Sequence, residues 1–162
     1  FNEGWGQFES DRICRHLKQL DATRIWDATS GWFKQTESDV LSLHVYFHPI
    51  IMEESEKPVM VSECGGYSLK FEEHSYSVHS TYGYGFFDDS EALTDAIRKF
   101  YLGEVLPEFE NGLNGTIYTQ LSDVEDETNG FLTYDRKVLK VDADEMRKIA
   151  DELWSAFRKV CK

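Results

Sequence analysis

Apolar and polar residues alternate along the chain with two different periods, and each change of period marks an element. From residue 8 to 20, Phe8, Ile13, Leu17 and Leu20 fall on one side with charges between them, which predicts a helix. A short run over 24–26 follows. Residues 40–47 alternate at period two and stop at His48-Pro49, the pattern of a strand, and residues 50–57 read as a short connection with helical character. Pro58-Val-Met-Val-Ser is a compact apolar run, as in a strand buried on both faces. An irregular stretch over 67–89, rich in Tyr, Ser, His and Gly, leads to a helix over 90–106. Its apolar stripe is Leu93, Ala96, Ile97, Phe100 and Tyr101, and Pro107 is its expected stop. A strand over 115–121 and an acidic loop over 122–130 come next. The last helix opens with Asp142 and Glu145 at the spacing of a capping box, followed by Met146, Ile149, Leu153, Phe157 and Val160. Such alternation predicts an α/β fold, a parallel sheet covered by helices, in one unit without internal linker or repeat.

Composition narrows the functions such a fold could serve. The 162 residues, 41% apolar and 14% aromatic, suffice for a sizeable core. A net charge of −13 repels phosphate backbones and anionic headgroups, so neither nucleic acid nor a membrane surface is an expected partner. The longest central stretch free of full charges, 40–52, is too short to span a bilayer. Cys14, Cys64 and Cys161 are odd in number, far apart and in no CxxC pair, which favours free thiols over a disulfide framework or a zinc site. The opening Phe-Asn-Glu-Gly-Trp-Gly reads as the end of a buried strand running into a glycine-rich turn, so position 1 is not expected to be a natural beginning.

In a βα-barrel the chemistry gathers where strands end. Three expected strands finish on chemically capable residues: Asn2-Glu3, His44-Val-Tyr46 and Ser62-Glu63. Two carboxylates facing each other are what cleavage of a glycosidic bond requires, one to protonate the leaving oxygen and one to attack or to activate water. Glu63 directly follows an interior run, and Gly65-Gly66 lets the backbone turn sharply beyond it. The alternative for each glutamate is a solvated surface position.

Phe1-Asn-Glu-Gly-Trp-Gly-Gln resembles the acid/base motif of glycoside hydrolase family 2, the β-galactosidase, β-glucuronidase and β-mannosidase family, and Val61-Ser-Glu-Cys-Gly-Gly resembles its nucleophile motif. Asp21-Ala-Thr-Arg-Ile, Ser30-Gly-Trp and His44-Val-Tyr46 resemble segments of the fifth and sixth strands. Gly115-Thr-Ile-Tyr-Thr-Gln-Leu-Ser-Asp and Gly130-Phe-Leu-Thr-Tyr-Asp-Arg resemble the eighth strand and the loop after it. The resemblance implies a (β/α)8 TIM barrel, of which residues 1–162 are a C-terminal part from the end of strand four to helix eight. It implies a retaining β-glycosidase of β-galactosidase type, with Glu63 as nucleophile and Glu3 as the acid that later serves as base.

The resemblance also implies supporting roles. Asn2 contacts the sugar 2-hydroxyl, Tyr46 holds the nucleophile ionised, and His44 shares the face of Tyr46. Trp5, Trp32 and Tyr67 offer faces for stacking on sugar rings or fill the core, and Tyr76, Tyr82 and Tyr84 form an aromatic wall or belong to a disordered loop. Gln120 stands where many relatives carry a tryptophan. The Asn-x-Lys signature of glucuronidases is absent at Asn129-Gly130-Phe131, which disfavours a uronic acid. No metal or cofactor is expected: His44 and His48 are too far apart on a strand to share an ion, and Asp123, Glu125, Asp126 and Glu127, which could bind a cation or contact sugar hydroxyls, read first as a solvated loop. The expected partners are a carbohydrate substrate and either the missing part of the barrel or a second copy paired through exposed sheet edges, and the isolated chain is expected to be poorly active. A non-catalytic carbohydrate-binding or scaffold domain is the alternative function.

Overall fold

The computed structural model describes residues 1–3, 6–47, 49–52 and 54–161. Along the chain come α1 (Ser10–Leu20), β1 (Leu41–Val45), β2 (Val59–Gly65), β3 (Tyr67–Ser68), β4 (Gly85–Phe86) and α2 (Ser90–Phe100). A π-helical turn (Tyr101–Val105) runs into α3 (Leu106–Glu108), and β5 (Leu113–Thr119) and α4 (Ala143–Val160) follow. β2 is the middle of a three-stranded parallel sheet ordered β1-β2-β5, and β3 and β4 form a separate two-stranded parallel ribbon.

Two apolar clusters hold these elements. Val61, Cys64, Leu113, Ile50, Phe100 and Val105 are buried together, and Leu43, Val45 and Leu153 pack against them. Leu69, Leu93, Ile97 and Val141 form the second cluster, with Tyr67, Tyr118 and Phe131 beside it. Fully burying a side chain of this size contributes about 1.5–3 kcal/mol, so α2 and α4 are fixed to the sheet mainly through these positions. On β2 the buried residues Val59 and Val61 alternate with half-buried Met60 and Ser62, so the strand is not buried on both faces.

The helix ends follow local chemistry. Asp89 caps α2 by accepting from the Ala92 N–H at 2.8 Å. Asp142 caps α4 by accepting from the Asp144 and Glu145 N–H groups, but the reciprocal half of the capping box is not made. The Asp142 N–H donates to Thr94 Oγ1 instead, and Glu145 pairs with Lys148. Pro107 does not end the helical path. The wider turn over 101–105, in which the Leu106 N–H reaches back to the Tyr101 carbonyl, carries the chain into α3.

The expected (β/α)8 barrel, whole or in part, is not what the chain forms. The sheet is open and three-stranded, and three helices longer than a turn accompany it among the described residues. The physical reason lies in the segments expected to supply further strands. Residues 1–3 and 30 meet in a single parallel bridge, Asn2 with Ser30, rather than a ladder. Residues 24–26 are diverted by side chains: the Trp26 N–H donates to Asp39 Oδ2 at 2.8 Å, and Asp21 accepts from Thr23 and Arg24. Residues 50–52 and 54–57 form no helix. Phe8 and Leu20, expected on the buried stripe of α1, are exposed; Ser10 and Cys14 are buried instead, against the 36–39 segment.

Candidate active site

Glu63 owes its direction to an irregularity in the middle strand. In the β1–β2 register Leu43 pairs with Val61 but His44 pairs with Glu63, and in the β2–β5 register Val61 pairs with Thr116 but Cys64 pairs with Tyr118. β2 therefore carries an extra residue against both neighbours at Ser62–Glu63, a bulge that re-aims the side chains there. His44 is brought beside Glu63 by the same shift. Beyond the bulge Gly65 and Gly66 have φ of +80° and +66°. A Cβ on Gly66 would come within 2.4 Å of the Tyr84 ring, so glycine is required for the chain to turn under the aromatic wall.

Glu3 arrives from the other side, with φ of +53°, a left-handed backbone that non-glycine residues adopt at a cost. His44 joins the two carboxylates. Its Nδ1 is hydrogen bonded to Glu3 Oε1 at 3.4 Å and stands 3.3 Å from Glu63 Oε2, and its side chain is fully buried. One ligand atom from each of Glu3, His44 and Glu63 lies within 4.8 Å of the others, and this is the cluster among the described residues able to hold a cation. A protonated Nδ1 satisfies the same two carboxylates without one. Nε2 of His44 is buried without a hydrogen-bond partner, which suits an unprotonated nitrogen better than a buried N–H.

Tyr46 completes the support of Glu63. Its hydroxyl donates to Glu63 Oε2 at 2.7 Å and lies 3.0 Å from Thr119 Oγ1. Burial, reinforced by the Glu63 carboxylate, pushes the Tyr46 phenol well above its ordinary value. The phenol thus stays a donor to Glu63. Cys64 points away from the cavity chemistry: its thiol reaches the Ile117 carbonyl, and burial pushes its pKa up to about 12.

Glu3, Glu63 and Tyr46 line a cavity of about 600 Å³, roofed by Tyr82 and Tyr84 and closed on the far side by Gln120, Glu127 and Asn129. Tyr46 and Tyr84 stack with ring centroids 4.0 Å apart. Gln120 Nε2 donates to both Glu127 Oε2 and Asn129 Oδ1 at 2.8 Å.

The residues singled out in the sequence divide accordingly. Asn2, Glu3, Tyr46, Glu63 and Gln120 line the cavity, with Asn2 Oδ1 accepting from the Ser30 hydroxyl. His44 lies behind the two carboxylates. Trp32 packs edge-on to His44, with centroids 6.3 Å apart, rather than facing the cavity. Tyr67 is a packing residue between the clusters, edge-on to Phe87, Phe100 and Tyr118. Trp5 and His48 lie outside the described residues. Tyr76 leaves the wall to pair with Tyr134.

Thr119, Glu127 and Asn129 were not singled out as site residues by the sequence. The strand end at Thr119 and the acidic run that contains Glu127 are the signals that pointed near them. The solvated-loop reading of 123–127 also needs correction at Asp123. It is buried against Lys140 at 2.7 Å, and the Lys140 ammonium donates in addition to the Leu69 and Thr128 carbonyls. Comparison of the chain with known protein families found no match, and comparison with curated proteins found none.

Proposed function

We propose that the chain carries the catalytic pair of a retaining β-glycosidase of β-galactosidase type. The carrying observation is the approach of Glu3 and Glu63, which line one cavity with an oxygen of each within 4.8 Å of the other. Retaining enzymes hold their carboxyl groups about 5–5.5 Å apart, whereas inverting ones leave room for a water between them. The sheet differs from a barrel, but function resides in the site rather than the fold.

In the first step a Glu63 oxygen forms a bond to the anomeric carbon while the bond to the leaving oxygen breaks. Glu3 gives its proton to that oxygen. Tyr46 donates to Glu63 and orients it for attack, and His44, with its Nδ1 near an oxygen of each carboxyl group, positions both. The glycosyl ester leaves Glu63 without charge, and Glu3, which has given its proton to the leaving oxygen, takes a proton from the incoming water. That water oxygen bonds the anomeric carbon, the ester breaks, and Glu63 returns as a carboxylate. Tyr82 and Tyr84 offer ring faces for the apolar side of a sugar.

The test is covalent trapping with a 2-deoxy-2-fluoro-β-galactoside bearing a dinitrophenyl leaving group. A glycosyl adduct located on Glu63 by peptide mass analysis is the expected result. An adduct elsewhere, or sugar binding with no adduct, overturns the assignment; the second outcome fits a non-catalytic binding domain.

A further inference from the structure

The cavity holds more negative charge than the proposed chemistry uses. A retaining pair needs one ionised carboxylate at a time, with the second protonated in the first step. Glu127 adds a third carboxylate to the lining, and no Lys or Arg lines the cavity among the described residues. The neighbouring Asp123 does not contribute a free charge, because Lys140 neutralises it.

Glu127 is also firmly placed. Its N–H donates to the Val124 carbonyl and its carbonyl accepts from the Val124 N–H, and it bridges Tyr82, whose carbonyl accepts from the Thr128 N–H. Its carboxylate oxygen accepts from Gln120 Nε2, so the side chain is aimed by the wall and does not sweep through solvent. Tyr84 registers both ends of this field: burial and its Tyr82 partner raise its pKa, and the Glu3 and Glu127 charges raise it further.

We propose that Glu127 is a specificity-determining residue that restricts the pocket to uncharged glycones and excludes uronates, by accepting a sugar hydroxyl where a sugar carboxylate would meet like charge. The inference rests on the glycosidase reading and names its substrate class. Two negative charges several ångströms apart inside a partly shielded pocket repel strongly, while a hydroxyl at the same place donates to the carboxylate.

The probes are phenyl 1-thio-β-D-galactoside and the matching 1-thio-β-D-galacturonide, which resist hydrolysis and differ only at C6. Their dissociation constants are measured on the full chain at low salt, for the wild type, Glu127→Gln and Glu152→Gln. Gln at position 127 keeps the acceptor for Gln120. Glu152 is an exposed residue of α4 whose change alters net charge equally without touching the cavity. The expected result is galacturonide binding weaker by about tenfold or more, a gap that Glu127→Gln narrows at least about threefold and Glu152→Gln leaves in place. Equal binding of the two probes, or a gap unmoved by Glu127→Gln, overturns the inference while an adduct on Glu63 still upholds the glycosidase reading. Absence of binding by either probe overturns the inference as well, and absence of the adduct then removes the reading beneath it.

Discussion

The two glutamates reach the cavity from regions built on different physics. Glu63 stands on the middle strand of the sheet, paired on both sides, with Val61 and Cys64 in the main apolar cluster directly beneath it. Glu3 stands on a segment tied to the rest by the Asn2–Ser30 bridge, and none of the described residues among 1–40 belongs to either apolar cluster. That region is fastened instead by polar contacts. Asp11 accepts from the Thr36 hydroxyl and the Glu37 N–H, Lys18 pairs with Asp39, and Asp39 accepts from Trp26. A hydrophobic core is indifferent to pH, whereas a set of carboxylate contacts is not. The pair proposed to act together is therefore held by two kinds of force, and each can be removed separately.

Removal of the proposed nucleophile has the largest expected effect. Glu63→Gln should abolish the fluoroglycoside adduct and lower any turnover by about four orders of magnitude. Glu3→Gln should keep the adduct with the dinitrophenyl leaving group, which needs little protonation, while slowing its release. Equal loss of adduct in both variants would show that the two groups do not divide the roles as assigned. Tyr46→Phe tests the support of Glu63 alone. Losing a hydrogen bond to a charged group costs about 1.5–3 kcal/mol, so adduct formation should slow by about one to two orders of magnitude with the fold intact.

Stability separates the regions next. Lys140→Ala strands the buried Asp123 carboxylate and should cost about 3–5 kcal/mol in urea denaturation. Lys18→Ala breaks the partly exposed pair with Asp39 and should cost at most about 1 kcal/mol. Similar losses from both would mean that the polar contacts of residues 1–40 carry as much of the fold as the core does.

The same division decides what the sequence could reveal. β2 is legible as a compact apolar run, though its alternation of Val59 and Val61 with Met60 and Ser62 is not, and α4 is legible because Met146, Ile149 and Leu153 repeat at the helical period that the core rewards. Residues 24–26 have a strand-like pattern too, but Asp21 and Asp39 capture their polar groups through contacts that no local period announces. The pair proposed as catalytic is picked out in the sequence because each glutamate sits beside a run of distinctive residues. Glu127 and Asn129 are not, since they reach the wall only through pairing of the 122–130 loop with Tyr82 and Gln120. Asp123 shows the limit most clearly: its partner Lys140 lies outside the acidic run, and without that partner the run reads as solvated.

Acid should separate the regions with the smallest but most specific effect. The Thr36 hydroxyl and Glu37 N–H hold Asp11 below the usual carboxylate range, and the Lys18 ammonium followed by the Trp26 N–H does the same for Asp39. A carboxyl whose pKa is depressed on folding contributes stability that is present above its unfolded value, about 3.9, and is lost as pH falls through that value toward the folded one. Asp123 has the opposite sign, because burial raises it. Asp95 and Asp142 are also depressed, but they act along or at the end of helices already packed on the core. Acidification from pH 6 to about 3.5 should therefore release the amides of Trp26 and Asp39 to hydrogen exchange, after correction for intrinsic rates, while Val61 stays protected. Asp39→Asn should show the release already at pH 6. Simultaneous loss at Trp26 and Val61, or an unchanged profile in Asp39→Asn, would mean that Glu3 and Glu63 rest on one cooperative unit rather than two.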